Sequence, residues 1–345
     1  MDGIVGGIIL IKFFQGNCID KIKELDDSSI DCVVSSPPYF GLRDYGVNGQ
    51  FGLEKTYQEY ITNTVKVFET FKPKLKDTAT IWWNVGDSYS SGLIKSTTNQ
   101  SLRNGKDYGV TRTPVQNGIK EKDLLMIPNR VAIALQDAGW YIRSEIIWHK
   151  PNPMPESVRD RPTSAHEKIW LITKSKKYYY DADAIREPLA ASSLARLSQD
   201  IKNQKGSTRA NGGMKSNGNM KAVFSKKNIK GNFSKRGITR TTEGLNLKTQ
   251  LEKINPLGKN KRNVWTITTK PFKDAHFATF PKDLIEPCIK AGCPEGGVVL
   301  DPFGGSGTTG IVAQSLNRQA ILIELNKDYI NIANKRIDKE LGMFK

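Results

Sequence analysis

The sequence predicts an α/β protein built on a largely parallel sheet. Three observations carry that reading. Near the start, an apolar run, a short helix signal and a second apolar run follow one another, the β-α-β order whose crossover makes parallel neighbours. Near the end, a strand, a glycine-rich turn, a helix and another strand repeat that order. The chain has 345 residues, enough to bury a sizeable core as one large or two modest domains.

Taken in order, residues 8–14 read as a strand that ends at Gln15-Gly16-Asn17, and a helix over about 18–25 leads to the apolar run Asp31-Cys32-Val33-Val34-Ser35. Ser36-Pro37-Pro38-Tyr39 follows it directly. Two prolines continue neither a strand ladder nor a helix, so the backbone leaves the sheet there, and leaves it rigidly. The turn carries a hydroxyl, carbonyls with no N–H beside them, and an aromatic ring. Such a row of acceptors next to a stacking surface suits a flat heterocycle held by its amino group; a plain strand end that turns is the alternative.

After a glycine-flanked polar loop, Gly41 to Gly46, residues 56–71 place Tyr57, Tyr60, Ile61, Thr64, Val65 and Phe68 on one side of a helix. A strand over 78–85 closes on Gly86-Asp87-Ser88. Residues 90–120, rich in Gly, Asn and Thr, read as a surface loop. Pro128 opens a helix that stops at Gly139, 140–149 is a long strand, and Lys150-Pro151-Asn152-Pro153-Met154-Pro155 breaks it. Residues 168–174 and 178–181 read as a closing hairpin. Regular pattern resumes at Asn263-Val264-Trp265 and gives a helix over 281–290, a strand over 298–301, a helix over 308–315, a strand over 319–324 and a last helix over 328–339. Trp82, Trp83, Trp148 and Trp170 read as core; Asp44, Asp87 and His149 read equally as turn caps, packing groups or substrate contacts.

The formal charge of +17 favours a polyanionic partner, most simply nucleic acid. Most of the excess lies in 188–262, where 17 Lys and Arg face 3 acidic residues. That segment contains Lys226-Lys227, Lys235-Arg236 and Arg240, with Phe224 and Phe233 as isolated aromatics. It reads either as a disordered basic insertion or as a surface that docks on phosphates.

Four scattered cysteines and 3 histidines, with no CxxC pair, argue against a zinc site and suit a reducing compartment. The apolar start is too short to span a bilayer, and no other stretch approaches about 20 apolar residues, so a cytoplasmic protein without a membrane partner is expected.

A second candidate site joins the strand ending at Asp301 to a helix through Asp301-Pro302-Phe303-Gly304-Gly305-Ser306-Gly307-Thr308. Glycines there let backbone approach a ligand, and the helix opened by Thr308 offers free N–H groups. Glu324, at the end of the next strand, is placed for a ribose diol. Gly305, Gly307 and Gly310 also satisfy the dinucleotide fingerprint, which keeps a nicotinamide or flavin oxidoreductase open. Asp301 would set a carboxylate where a pyrophosphate should lie, and it suits instead the positive amino-acid end of S-adenosylmethionine.

On these residues the chain resembles the DNA amino-methyltransferases in their permuted β-class order. Ser36-Pro37-Pro38-Tyr39 matches the catalytic motif of that family and Asp301-Pro302-Phe303-x-Gly305-x-Gly307 its cofactor loop. His276 to Pro281 is similar to the segment before that loop, and Trp148 to Pro153 and Arg161-Pro162-Thr163 to its middle region. The resemblance implies a Rossmann-like fold with a seven-stranded, mostly parallel sheet in which the first strand lies beside 319–324. It implies a core of 1–187 and 263–345 around a target-recognition insert at 188–262.

It further implies S-adenosylmethionine as cofactor, held by Asn17, Phe280, Pro281, Asp301, Phe303, Gly305, Gly307, Thr308 and Glu324. Asn17 stands where the family usually has Asp. Double-stranded DNA is the implied partner; a restriction endonuclease and a homodimer stay open. Ser36 and the Pro37 carbonyl would aim the amine of an everted base stacked on Tyr39. Serine at the first motif position goes mostly with cytosine N4, aspartate or asparagine with adenine N6, which remains the alternative; a DNA-binding protein on an inactive fold is the third. Cys288, inside an apolar-periodic helix, reads as packing rather than as the thiolate of a carbon methylation.

Overall fold

The computed structural model describes residues 11–90, 119–190, 255, 257–269 and 280–342. The chain divides into two compact units, one of 1–184 with 262–345 and one of 185–261. The larger unit is built on one sheet of eight strands: β1 (Ile11–Gln15), β2 (Ile30–Ser35), β3 (Leu75–Val85), β4 (Tyr141–His149), β5 (His166–Thr173), β6 (Val264–Thr266), β7 (Val298–Asp301) and β8 (Gln319–Glu324). Their spatial order is β1-β8-β7-β2-β3-β5-β4-β6.

From β1 to β3 every pairing is parallel, while β5 is antiparallel to both β3 and β4. The two chain ends meet in the sheet, Ile11 opposite Ala320 and Gln15 opposite Glu324. All six residues of β2 are buried, as an apolar run in the middle of a parallel sheet must be. Its one charge, Asp31, is tied to both neighbouring strands: Lys76 Nζ donates to it at 2.8 Å and the Val298 N–H at 2.9 Å.

Among the described residues this unit has six α-helices: α1 (Cys18–Lys23), α2 (Tyr57–Phe71), α3 (Ile127–Asp137), α4 (Lys282–Gly292), α5 (Thr308–Ser315) and α6 (Lys327–Leu341). Local chemistry sets their starts. Asn17 and Thr56 cap α1 and α2, accepting from the N–H groups of Ile19 at 2.9 Å and Glu59 at 3.1 Å. α2 buries Tyr57, Tyr60, Thr64 and Phe68 of the expected stripe, and Val67 and Phe71 besides, while Ile61 and Val65 are half-buried at its edge.

Two expectations are corrected. The sheet has eight strands rather than seven, because the three-residue β6 adds itself in parallel to the edge of β4, Trp148 facing Trp265. Residues 178–181 form no strand: both edges of β5 are already taken by β3 and β4, so this segment instead bonds Tyr179 N–H to Thr78 O and Asp181 N–H to Ala291 O. The four tryptophans named above are buried. Cys288 is buried in α4 with its thiol on the Leu284 carbonyl at 3.4 Å, and no cysteine among the described residues is disulfide-bonded.

The order of crossovers places the site. From β2 the chain passes through α2 to β3 on one side; from β7 it passes through α5 to β8 on the other. The loops that leave these neighbouring strands therefore diverge, and a crevice opens outside their carboxyl ends.

Candidate active site

That crevice is a cavity of about 940 Å³, walled on one side by Ser36 to Tyr39 and on the other by Asp301 to Ser306. Two stretches separated by more than 260 positions thus share one chamber. Asn17, Phe280, Phe303, Gly305, Thr308 and Glu324 line it as well; Gly307 and Pro281 are not among the lining residues. The basic residues Lys226, Lys227, Lys235, Arg236 and Arg240, and His276 to Thr279, lie outside the described residues.

On the first wall the polar groups are sorted by their partners. Ser35 Oγ donates to Asp301 Oδ1 at 2.6 Å and so ties β2 to β7. The Pro38 carbonyl accepts from the Tyr60 hydroxyl at 3.1 Å. The Pro37 carbonyl meets no donor among the described residues, and Pro37 lines the cavity. The Tyr39 hydroxyl donates to Glu167 Oε2 at 2.6 Å, with Asn84 Oδ1 at 3.1 Å, and Ser36 Oγ lies 3.3 Å from it. Burial first, and the Glu167 charge second, push the Tyr39 phenol well above its usual range. Gly86 lies flush against the ring: a Cβ there would come within 2.5 Å of Tyr39 Cε2.

Glu167 and Asn84 line the cavity although sequence reasoning did not single them out, and so does Lys150, which it named only within the run that breaks the strand and the segment likened to the family's middle region. Glu167 opens β5, its second oxygen paired with Lys150 Nζ. Asn84 Nδ2 donates to Glu167 Oε2 at 3.2 Å and to the Lys168 carbonyl at 3.1 Å. The available signal was an acid at the mouth of an otherwise apolar strand, His166-Glu167-Lys168-Ile169-Trp170.

On the second wall, Asp301 is buried and accepts three bonds, from Ser35 Oγ, from Thr309 Oγ1 at 2.6 Å and from the Phe303 N–H at 3.0 Å. Burial pushes its pKa up to about 6 against those bonds. Gly305 and Gly307 take φ of +48° and +77°, the left-handed region that lets the turn close without a side chain in the way. Glu324 accepts from the N–H groups of Gly305 at 2.9 Å and Asn326 at 2.8 Å; burial raises its pKa. Arg336 of α6 holds the loop from behind, donating to Ser306 Oγ at 3.0 Å and Thr308 Oγ1 at 2.7 Å. Phe303 packs on Phe51 and Trp83.

Asp44 accepts from the Gly46 N–H at 2.7 Å; Asp87 accepts from the N–H groups of Ser88 at 2.9 Å and Ile127 at 3.0 Å, the latter opening α3, and it also lines the cavity. His149 shares a bond with Thr266 Oγ1 at 3.1 Å. Among the described residues no cluster of three or more metal-ligating side chains occurs, and no helix is long and apolar enough to cross a membrane.

A doubly wound sheet with an acceptor-rich Ser-Pro-Pro-Tyr turn facing a glycine loop across one cavity places the chain among the Rossmann-like α/β proteins that bind ligands outside the carboxyl ends of their strands. A family model described as DNA methylase matches residues 30–335, and the chain belongs to that N6/N4 DNA methylase family. It is similar to the type II methyltransferase M.SmaI of Serratia marcescens, 40% identical over 326 residues that cover 94% of this chain and 90% of that relative. It is also similar to the type II methyltransferase M.Cfr9I of Citrobacter freundii, 38% identical over 327 residues, 95% and 87% of the two chains. Among solved structures, the cytosine-N4-specific PvuII DNA methyltransferase superposes with a TM-score of 0.59 at 16% identity, covering 97% of this chain and 91% of that one. A putative DNA modification methylase of Thermus thermophilus, complexed with S-adenosyl-L-methionine, gives 0.53 at 18% identity, covering 96% of each chain.

The protein is therefore a DNA methyltransferase, and S-adenosylmethionine is its methyl donor. Family membership removes the oxidoreductase reading of the GxGxxG spacing. The cavity fits that donor. Glu324 spends its bonds on two backbone N–H groups, which leaves lone pairs for a diol. The loop from Gly304 to Gly305 puts no side chain beyond Cα between backbone and ligand.

Proposed function

We propose that this chain methylates the exocyclic N4 amine of cytosine in double-stranded DNA at a specific sequence, with the base everted into the cavity. The observation that carries the reading is the pair of open acceptors, Ser36 Oγ and the Pro37 carbonyl, on the wall opposite the glycine loop of the same chamber. An exocyclic amine conjugated to its ring is a poor nucleophile; two acceptors on its hydrogens aim its lone pair at the donor. Serine in place of a carboxylate favours cytosine over adenine N6. Tyr39 offers the stacking face, and stacking at about 1–3 kcal/mol per base offsets much of the cost of eversion.

When bound, S-adenosylmethionine supplies an electrophilic methyl carbon on a positively charged sulfur. Glu324 holds the ribose hydroxyls, Asn17 and Phe280 the adenine side, and the backbone of Gly305 to Thr308 with Phe303 and Pro281 shapes the remaining wall. Asp301 sets a negative charge beside the amino-acid end of the donor. The segment 188–262, through Lys226, Lys227, Lys235, Arg236 and Arg240, docks on the duplex and reads the target, which predicts a strong fall in DNA affinity with salt. The type II relatives suggest a restriction endonuclease of the same recognition sequence as its companion.

The test is methyl transfer to a plasmid followed by nucleoside analysis. N4-methylcytosine is expected as the product. Ser36→Ala should lower turnover by at least tenfold while S-adenosylhomocysteine still raises the melting temperature. Methyl groups found only on adenine N6 would overturn the choice of base; none in DNA would overturn the assignment.

A further inference from the structure

Resting on that reading, we propose that Ser36, Tyr39 and Glu167 form a one-way proton relay that takes the proton shed by the target amine. A serine hydroxyl can accept a hydrogen bond from the amine, but it cannot keep a second proton at neutral pH. A site that uses serine where a carboxylate would do both jobs needs an acceptor further along.

The structure supplies one, and the direction of each bond follows from what each group has to give. Glu167, held on its other oxygen by the Lys150 ammonium, accepts only. Asn84 Oδ1, at 3.1 Å, also only accepts, so the single phenolic proton of Tyr39 goes to the closer, charged oxygen, Glu167 Oε2 at 2.6 Å. With that proton committed, Tyr39 Oη accepts, and Ser36 Oγ donates to it across 3.3 Å. The hydroxyl proton of Ser36 is thus turned away from the base, and its lone pairs face the cavity. Asn84 braces the end of the chain, donating to Glu167 Oε2 and to the Lys168 carbonyl. Lys150 sits over the Trp148 ring at 4.4 Å, which fixes the ammonium beside the acid.

The step balances. As the amine nitrogen bonds the methyl carbon, the carbon–sulfur bond breaks and its electron pair returns to sulfur, which ends neutral. One N–H bond breaks and leaves its pair on nitrogen. That proton passes to Ser36 Oγ, the Ser36 proton to Tyr39 Oη, and the Tyr39 proton to Glu167 Oε2. One positive and one negative charge vanish together, and the proton goes from Glu167 to water when the product leaves. Tyr39 is then more than a stacking surface, and Glu167 acts through it without touching the base.

The test compares Tyr39→Phe, Glu167→Gln and the double variant in single-turnover methylation of a duplex, with Glu167→Asp as the conservative control. Tyr39→Phe keeps the stacking ring and removes only the oxygen. Both single variants should lose about a hundredfold in rate, with KM for DNA and the melting shift given by S-adenosylhomocysteine unchanged. The double variant should lose no more than either single one, since the groups act as one chain, and Glu167→Asp should recover part of the rate. A wild-type rate in Tyr39→Phe, or losses that multiply in the double variant, would overturn the relay. Because the wild type is assayed alongside, absence of cytosine methylation there would instead count against the proposed reaction.

Discussion

Gly86→Ala should nearly silence the enzyme without unfolding it. The added Cβ would sit 2.5 Å from Tyr39 Cε2 and 2.8 Å from Cδ2. Ordinary carbon contacts begin near about 3.5 Å, so the ring must retreat by about 1 Å. The backbone at Gly86 is not in the left-handed region, so the strain comes from the ring alone. The phenol is anchored at 2.6 Å on Glu167, so a retreating ring either breaks that bond or moves into the cavity where the base must stack. Forced overpacking of this kind costs about 1–3 kcal/mol. A misplacement of about 1 Å at a reacting centre costs about a hundredfold in rate. Single-turnover transfer of a tritiated methyl group measures the rate, and thermal melting with and without S-adenosylhomocysteine measures fold and donor binding. The expected result is a melting temperature lowered by a few degrees, a retained ligand shift and a rate down about a hundredfold. A wild-type rate would show that the position of Tyr39 does not govern turnover.

Two further perturbations address the other wall. Asp301 has its pKa raised from 3.8 to about 6 by burial, so between those values the folded state binds the proton more tightly than the unfolded chain. Its contribution to stability is full below the lower value and is lost as pH rises through the higher, a loss of about 3 kcal/mol. The difference in unfolding free energy between wild type and Asp301→Asn should therefore shift against the wild type by about 2 kcal/mol from pH 4 to 6.5, most of the full loss, and a flat difference would refute it. Gly307→Ala asks a side chain to adopt φ +77° with its Cβ 3.1 Å from Ala333 Cβ and 3.3 Å from Ile337 Cδ1. It should tilt the start of α5 and weaken S-adenosylhomocysteine by about tenfold in calorimetry; unchanged affinity would count against the loop as the donor seat.

Much of the architecture was readable because it rests on neighbours in sequence. The buried run before Pro37, the stripe on α2 and the glycines after Asp301 each declare a local geometry, and the observed elements begin and end within a few residues of those signals. What failed was pairing. Residues 178–181 have the composition of a strand, yet an edge must be free to receive one, and β3 and β4 had taken both edges of β5. β6 is only three residues long and exists because β4 has an edge left over. The same limit hid Glu167, which is 128 positions from Tyr39. An acid at a strand mouth has nothing in its own surroundings that names its partner.

By itself, then, the order of residues determined the doubly wound class, the two loops that carry chemistry and the concentration of positive charge in one segment, since each follows from periodicity, backbone freedom or composition. Only the tertiary structure decided which carbonyl is left without a donor, which N–H groups the loop aspartates cap, and that a serine and a tyrosine in the turn after β2 stand in hydrogen-bond contact with a glutamate of β5. Hydrogen-bond partners are set by which strand edges pair and in what register, and that choice is made by the whole sheet.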